Sequence, residues 1–253
     1  MKFGLVQFDQ VWENKSENRN KLEHLLQLHA TSTDVLVFPE MTLTGFSMNP
    51  DNIAESLEGE SVHFFSGIAR SRSTHVIAGV VLNENGKYSN AMIHFDSYGN
   101  VCEVYRKMHP FSLAGEHNHY TAGESPVVFN MNGVTIGAAI CYDLRFPELF
   151  RQYGKLRTDV ILVIANWPVP RVEHWKLLLK ARAVENLCYC IGVNRVGDDP
   201  AGSYNGYTSV IEPLGNEIAV ASRIETVLTA DIDPSLVQQA RAKFGFLNDI
   251  KMV

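Results

Sequence analysis

The sequence predicts an α/β (α+β) domain with mixed sheets arranged in layers. Three observations carry this: short apolar runs rich in Val and Ile recur along the chain, amphipathic helical patterns separate some of them, and Gly/Asn turns join others directly. Strands joined partly by hairpins and partly by helices favour mixed sheets over the regular alternation of a TIM barrel.

From the N-terminus, strands are expected at residues 2–8, 34–38 and 75–82, separated by helices at 14–30 and 61–73. In the first helix Leu22, Leu25, Leu26 and Ala30 recur at three- and four-residue spacing, which gathers them on one face. Strands at 89–95 and 101–105 follow through Asn85-Gly86 and Tyr98-Gly99-Asn100, and strands at 127–131 and 134–140 are joined by Asn132-Gly133. These turns have the residues that tight hairpins need. A helix at 144–153, a strand at 160–164, a helix at 172–186 and a strand at 189–193 alternate next. Strands at 207–211, 217–221 and 226–232 then lead to an amphipathic helix at 234–243 and an apolar tail. No repeat, low-complexity tract or linker interrupts the pattern, so residues 1–253 read as one domain. A chain of that length buries about three-quarters of its unfolded surface and needs no staples.

Composition removes several functional classes. Hydrophobic residues at 45% and charged residues at 20% argue against a disordered or fibrous chain. Twenty-two Lys+Arg against 28 Asp+Glu leave a net charge of -6 with no basic run, so nucleic acid is not an expected partner. Cysteines at 102, 141, 188 and 190 are too few and too irregular for a disulfide scaffold, and the Cys/His pattern is too sparse for zinc. The N-terminus lacks the basic-then-apolar order of a signal peptide, and no run reaches the roughly 18 apolar residues of a membrane span. The expectation is a cytoplasmic protein with no membrane association, no metal and no cofactor.

Three polar residues stand directly after strand-like runs. Asp34-Val-Leu-Val-Phe-Pro-Glu40 ends in a carboxylate, Val101-Cys-Glu-Val-Tyr-Arg-Lys107 in an ammonium, and Val134-Thr-Ile-Gly-Ala-Ala-Ile-Cys141 in a thiol. Ligands of open α/β sheets bind at the carboxyl ends of the strands, so neighbouring strands running the same way would bring the three groups together. Cys141 precedes a helix opening, whose partial positive charge is expected to lower the thiol pKa and leave the Tyr142 N–H as an oxyanion donor. Glu40 would serve as general base and acid, and Lys107 as fixed positive charge, for acyl transfer from a carboxamide. Each residue also has an ordinary reading: a small buried hydrophobe for Cys141, a strand-end carboxylate for Glu40, a solvated charge for Lys107 beside Arg106. Cys102, Cys188 and Cys190 have no helix opening after them and read as core or structural.

At these residues the chain resembles the nitrilase superfamily of carbon-nitrogen hydrolases. The blocks are Phe38-Pro-Glu40-Met-Thr-Leu-Thr-Gly-Phe, Tyr105-Arg-Lys107-Met-His-Pro-Phe and Gly137-Ala-Ala-Ile-Cys141-Tyr-Asp-Leu-Arg-Phe-Pro-Glu. Downstream, Ala165-Asn-Trp-Pro-Val-Pro-Arg, His174-Trp, Ala181-Arg-Ala-Val-Glu-Asn and Asn194-Arg-Val-Gly resemble the omega-amidase branch. The resemblance runs from Gly4 to Ile232 and departs from the family at Pro110, where Leu commonly follows the His. It implies a four-layer α-β-β-α sandwich in which Glu40 is the base, Lys107 the oxyanion stabiliser and Cys141 the nucleophile. Glu116, within Leu113-Ala-Gly-Glu116-His-Asn-His, matches a second glutamate of the family and would hold Lys107 and place the amide or water. The ordinary alternative is a loop carboxylate.

The omega-amidase resemblance implies hydrolysis of the terminal amide of a 2-oxo acid such as 2-oxoglutaramate. Arg145, four residues past Cys141, would grip the substrate carboxylate or instead pair with Asp143 or Glu148. Trp167 would wall the acyl chain or simply pack in the core. His109, His117, His119 and His174 raise a Cys-His or metal alternative, but the His117-x-His119 pair lacks a third ligand. The segment 174–186 resembles the family's dimer-forming helix, so a homodimer is expected, although an internal core face would show the same periodicity. Rival readings are a deaminated-glutathione amidase, an N-carbamoyl-amine hydrolase, and a catalytically silent ligand-binding or scaffold relative.

Overall fold

The computed structural model describes residues 1–29 and 32–251. In chain order these form β1 (Lys2–Gln7), α1 (Lys15–Leu28), β2 (Val35–Val37), α2 (Pro50–Ile53), α3 (Glu60–Arg72), β3 (His75–Glu84), β4 (Lys87–Phe95) and β5 (Val101–Arg106). Then come β6 (Val128–Met131), β7 (Val134–Ile140), α4 (Pro147–Lys155), β8 (Val160–Ala165), α5 (Val172–Asn186) and β9 (Tyr189–Asn194). The chain continues as β10 (Val196–Asp199), β11 (Gly202–Asn205), β12 (Ser209–Ile211), β13 (Glu217–Val220), β14 (Thr226–Asp231) and α6 (Pro234–Lys243).

Two six-stranded sheets result, in the orders β14-β1-β2-β3-β4-β5 and β13-β12-β9-β8-β7-β6, with β10-β11 as a separate ribbon. Both sheets are mixed: β1, β2 and β3 run parallel, as do β7, β8 and β9, and the flanking strands are antiparallel. The sheets pack face to face through Leu5, Val35, Val37 and Ile77 on one side and Ile136, Ala138, Leu162 and Ile191 on the other. Leu22, Leu26, Phe65 and Ile68 of α1 and α3 cover the outer face of the first sheet. Phe150, Tyr153, Trp175 and Leu179 of α4 and α5 cover that of the second. The expected four layers, α-β-β-α, are therefore present. The central parallel strands are apolar on both faces because each is buried between a helix layer and the other sheet.

Several local expectations are corrected. The expected helix at 144–153 begins instead as a 3-10 turn over Cys141–Arg145, and α4 starts only at Pro147. Phe146 between them is extended, as a residue preceding proline tends to be. The expected strand at 207–211 shortens to β12, and α2, β10 and β11 were not anticipated. Cys102, read as core or structural, is not in the core: it is exposed on β5, an edge strand whose first three residues face solvent. The expected end of the first helix, Ala30, and the last residues of the apolar tail, Met252 and Val253, lie outside the described residues.

Candidate active site

The three strand-end residues meet, but not by the route anticipated. Glu40 and Lys107 follow β2 and β5 of the first sheet, which run the same way yet are separated by β3 and β4. Cys141 follows β7 of the other sheet. The groups therefore converge across the interior of the sandwich and not along one sheet.

Local backbone geometry aims each of them. Met41 adopts a left-handed conformation at φ 44°, turning the chain sharply after Glu40. Thr42 closes that turn: its N–H donates to Gly79 O (2.8 Å) and its hydroxyl to Pro39 O (2.6 Å). Gly79 is required here, because a Cβ at that position would lie 2.4 Å from Met41 N and 2.7 Å from Glu40 Cα. Cys141 is itself left-handed, at φ 49°, an unfavourable conformation for a residue with a Cβ that persists only where surrounding structure enforces it. Asp143 supplies part of that enforcement. It accepts from the Ile140 N–H (2.9 Å) and Tyr105 hydroxyl (2.7 Å), and from the His109 N–H (2.9 Å), so the start of the Cys141 turn is tied to the segment around Lys107.

Glu40, Lys107 and Glu116 are 0%, 1% and 0% exposed. Lys107 Nζ donates to Glu40 Oε1 (2.8 Å) and to Glu116 Oε2 (2.9 Å) and Oε1 (3.2 Å). The Asn90 amide, from β4, donates to Glu40 Oε1 (2.7 Å) and Glu116 Oε1 (2.9 Å) and so bridges the carboxylates. The Phe111 N–H reaches Glu116 Oε2 at 2.5 Å. Asn166, just after β8, donates its N–H to Glu40 Oε2 (2.8 Å) and its amide to Glu40 O (2.8 Å). Glu40 Oε1 thus has two donors and Oε2 one, which leaves acceptor capacity on Oε2.

The electrostatics follow from this burial. Burial alone pulls the Lys107 ammonium down, but Glu116 and Glu40 outweigh it and hold its pKa well above the ordinary lysine value. The Cys141 thiol is also well above its ordinary value, first because it is desolvated and then because the Glu40 carboxylate lies against it, with Lys107 opposing. This corrects the expectation of a thiolate lowered by a helix N-terminus. A single 3-10 turn supplies little aligned dipole, and desolvation beside a carboxylate dominates. The resting site accordingly combines a protonated thiol with an ammonium.

Cys141 opens onto a cavity of about 250 Å³ whose lining includes Tyr142, Arg145, Trp167, Arg171, Phe111 and Tyr204. All three substrate-side candidates from the sequence, Tyr142, Arg145 and Trp167, thus face it. Arg145 does not pair with Asp143 or Glu148. Its guanidinium lies 4.9 Å from the Trp167 ring centroid and 3.3 Å from His174 Nδ1. His109 stacks on Phe146 and accompanies Asp143, and His117 and His119 are exposed. Among the described residues no cluster of three His, Cys, Asp or Glu is arranged to hold a metal.

Residues 2–242 match the carbon-nitrogen hydrolase family. The chain belongs to this family. It is 34% identical to a 2-oxoglutaramate amidase of Bacillus subtilis, covering 97% of this chain and 96% of that protein. It is 36% identical to omega-amidase YafV of Escherichia coli K12, covering 98% and 96%. Among solved structures, a CN-hydrolase superfamily protein of Xanthomonas campestris superposes with a TM-score of 0.95 at 31% identity, covering 100% of this chain and 98% of that one. Saccharomyces cerevisiae Nit3, at 24% identity and a TM-score of 0.83 over 96% of this chain and 93% of that one, shares the fold. The chain is thus an amidase-family hydrolase with a nitrilase-like architecture.

Sequence reasoning missed Asn90, Asn166 and Asp143. Asn90 lies mid-strand, directly before Ala91-Met-Ile, where a buried polar residue is costly unless it is satisfied, and that was the available signal. Asn166 directly follows the end of β8 and Asp143 stands two residues past Cys141, but neither is distinguished by spacing.

Proposed function

We propose that this chain is an omega-amidase, hydrolysing the terminal carboxamide of a short 2-oxo acid to ammonia and the dicarboxylate. The observation that carries the chemistry is the buried Glu40–Lys107–Glu116 cluster set against the Cys141 thiol at the cavity. The relatives named above support the substrate class.

As Cys141 Sγ attacks the amide carbon, Glu40 takes the thiol proton on Oε2, so charge separation is avoided in a site where a free thiolate is disfavoured. The tetrahedral oxyanion accepts from the Lys107 ammonium, with the Tyr142 N–H at the start of the 3-10 turn as its second donor in this reading. Glu40 returns its proton to the departing nitrogen, the C–N bond breaks, and ammonia leaves a thioester. Water then attacks the thioester carbon and gives a proton to Glu40. The C–S bond breaks, the acid departs and Cys141 regains the proton. Glu116 keeps Lys107 in place throughout and helps orient the amide or water.

Purified protein incubated with 2-oxoglutaramate is expected to release ammonia. Hydrolysis of N-carbamoyl amines or deaminated glutathione in preference would move the chain to another branch. Cys141→Ala should lower kcat by about 10⁴-fold or more. Undiminished turnover in that variant would remove the nucleophile from the mechanism. We also propose a homodimer through α5, where Leu177 and Val184 are 67% and 42% exposed. Sedimentation at micromolar concentration tests it, with a monomer as the contrary result.

A further inference from the structure

The cavity beside Cys141 contains two guanidiniums, of Arg145 and Arg171, and among the described residues neither makes an ion pair with a carboxylate. Several arginines of comparable or greater burial are neutralised, Arg195 by Asp199 and Asp9, Arg182 by Glu185 and Arg106 by Glu84, while Arg72 donates to the Leu26 carbonyl. In a chain of net charge -6, one cavity thus holds two arginines that have no acidic partner among the described residues.

Aromatic faces hold them instead. Arg145 lies over Trp167 and Arg171 lies 5.3 Å from the Phe111 centroid. The Trp167 indole N–H donates to Arg171 O at 2.7 Å, so one tryptophan stacks on the first guanidinium and anchors the backbone of the second. Stacking restrains a guanidinium while leaving its in-plane N–H donors available. Two such groups form a surface that donates hydrogen bonds and accepts none.

We propose that Arg171 acts with Arg145 as a two-guanidinium clamp that binds the 2-oxo carboxylate end of the substrate and rejects the corresponding 2-amino acid amide. The inference rests on the omega-amidase reading and adds the selectivity. A 2-oxo acid presents three oxygens, all acceptors and nearly coplanar, and these match a donor-only surface carboxylate first. A 2-amino acid replaces one acceptor with an ammonium, which meets the two guanidinium cations of the cavity lining. Like-charge contact in a partly desolvated site costs several-fold to several-hundred-fold in binding. Discrimination comes from repulsion as much as from attraction.

The test compares kcat/KM for 2-oxoglutaramate, glutaramate, glutamine and pentanamide in the wild type, Arg171→Met and Arg145→Met. The wild type should prefer 2-oxoglutaramate to glutamine by about 100-fold or more, and Arg171→Met should compress that preference at least tenfold. Loss on 2-oxoglutaramate should exceed loss on the uncharged pentanamide by the same factor. Equal losses on both substrates, or an unchanged oxo-to-amino ratio, would overturn the clamp while leaving the amidase reading intact. If the wild type hydrolyses none of the carboxylate substrates, the omega-amidase reading fails. A calorimetric titration of 2-oxoglutarate into Cys141→Ala then decides the clamp by itself: binding weakened tenfold or more by Arg171→Met upholds it, and no binding overturns it.

Discussion

The two halves of the molecule use the same frame for different ends. Read outward, β14-β1-β2-β3-β4-β5 and β6-β7-β8-β9-β12-β13 show one pattern of strand directions, with α1 and α3 in the first half standing where α4 and α5 stand in the second. After β2 the first half places Glu40, and after β8 the second half places Asn166. The two pseudo-equivalent strand ends hydrogen-bond to each other. The first half adds Asn90, Lys107 and Glu116 to complete a buried charge cluster, and the second adds Cys141 and the arginine-lined cavity. The strands supply a frame, and the residues just beyond their ends decide which half activates and which half attacks. The first half gathers two carboxylates around one ammonium without access to water, tolerable only together, whereas the buried Arg195–Asp199 pair of the second half is matched one to one.

That asymmetry is sharpest at Lys107. Lys107→Met leaves Glu40 and Glu116 buried with no cation between them, and should cost about 3–5 kcal/mol of stability besides abolishing turnover. Cys141→Ala in the other half should abolish turnover with a stability change below about 1 kcal/mol. Urea unfolding of both variants makes the comparison, and equal stability losses would erase the distinction between the halves.

A smaller effect separates two glycines on the third parallel strand of each sheet. A Cβ on Gly79 meets the backbone of Pro39 and Met41, whereas one on Gly192 meets the side chains of Leu179 and Trp175. Both alanine variants should lose about 1–3 kcal/mol through overpacking. Gly79→Ala alone should also lower kcat/KM tenfold or more, because the displaced turn carries Glu40. Comparable activity in the two variants, measured by ammonia release, would mean that Glu40 is positioned independently of β3.

A pH-dependent effect lies on the seam between the sheets. His94 of β4 stacks on Phe129 of β6, with ring centroids 4.6 Å apart, and burial followed by the charge of His75 pushes its pKa down to about 4. The unfolded chain binds this proton near the ordinary value of 6.5 and the folded chain does not. The stabilising contribution is therefore complete above about pH 6.5 and is lost as pH falls towards 4, by about 3 kcal/mol in all. His94→Phe keeps a ring on Phe129 and should flatten the decline of the urea midpoint between pH 6.5 and 4.5. A parallel decline in variant and wild type would assign the acid sensitivity elsewhere.

Local signals made much of the frame legible. Apolar runs bounded by Asn-Gly turns marked most strands to within one or two residues, since period and turn chemistry are properties of a few adjacent residues. The ribbon of β10 and β11 escaped because four-residue strands with Gly and Asp have no apolar pattern to detect. The frame's duplication also escaped, because it lies in strand order and direction and not in repeated side chains.

The sequence by itself determined a layered domain with mixed sheets, the carbon-nitrogen hydrolase resemblance that implied the layer order, and the placement of a carboxylate, an ammonium and a thiol after β2, β5 and β7. Tertiary structure decided that these residues meet across two sheets, that Asn90 and Asn166 join them, that Arg145 stays free of Asp143 and Glu148, and that the thiol pKa rises and does not fall. The reason is physical. Helices, strands and turns answer to neighbours a few residues away, whereas desolvation, ion pairing and the shape of a cavity depend on groups that are distant in sequence and become neighbours only when both sheets pack.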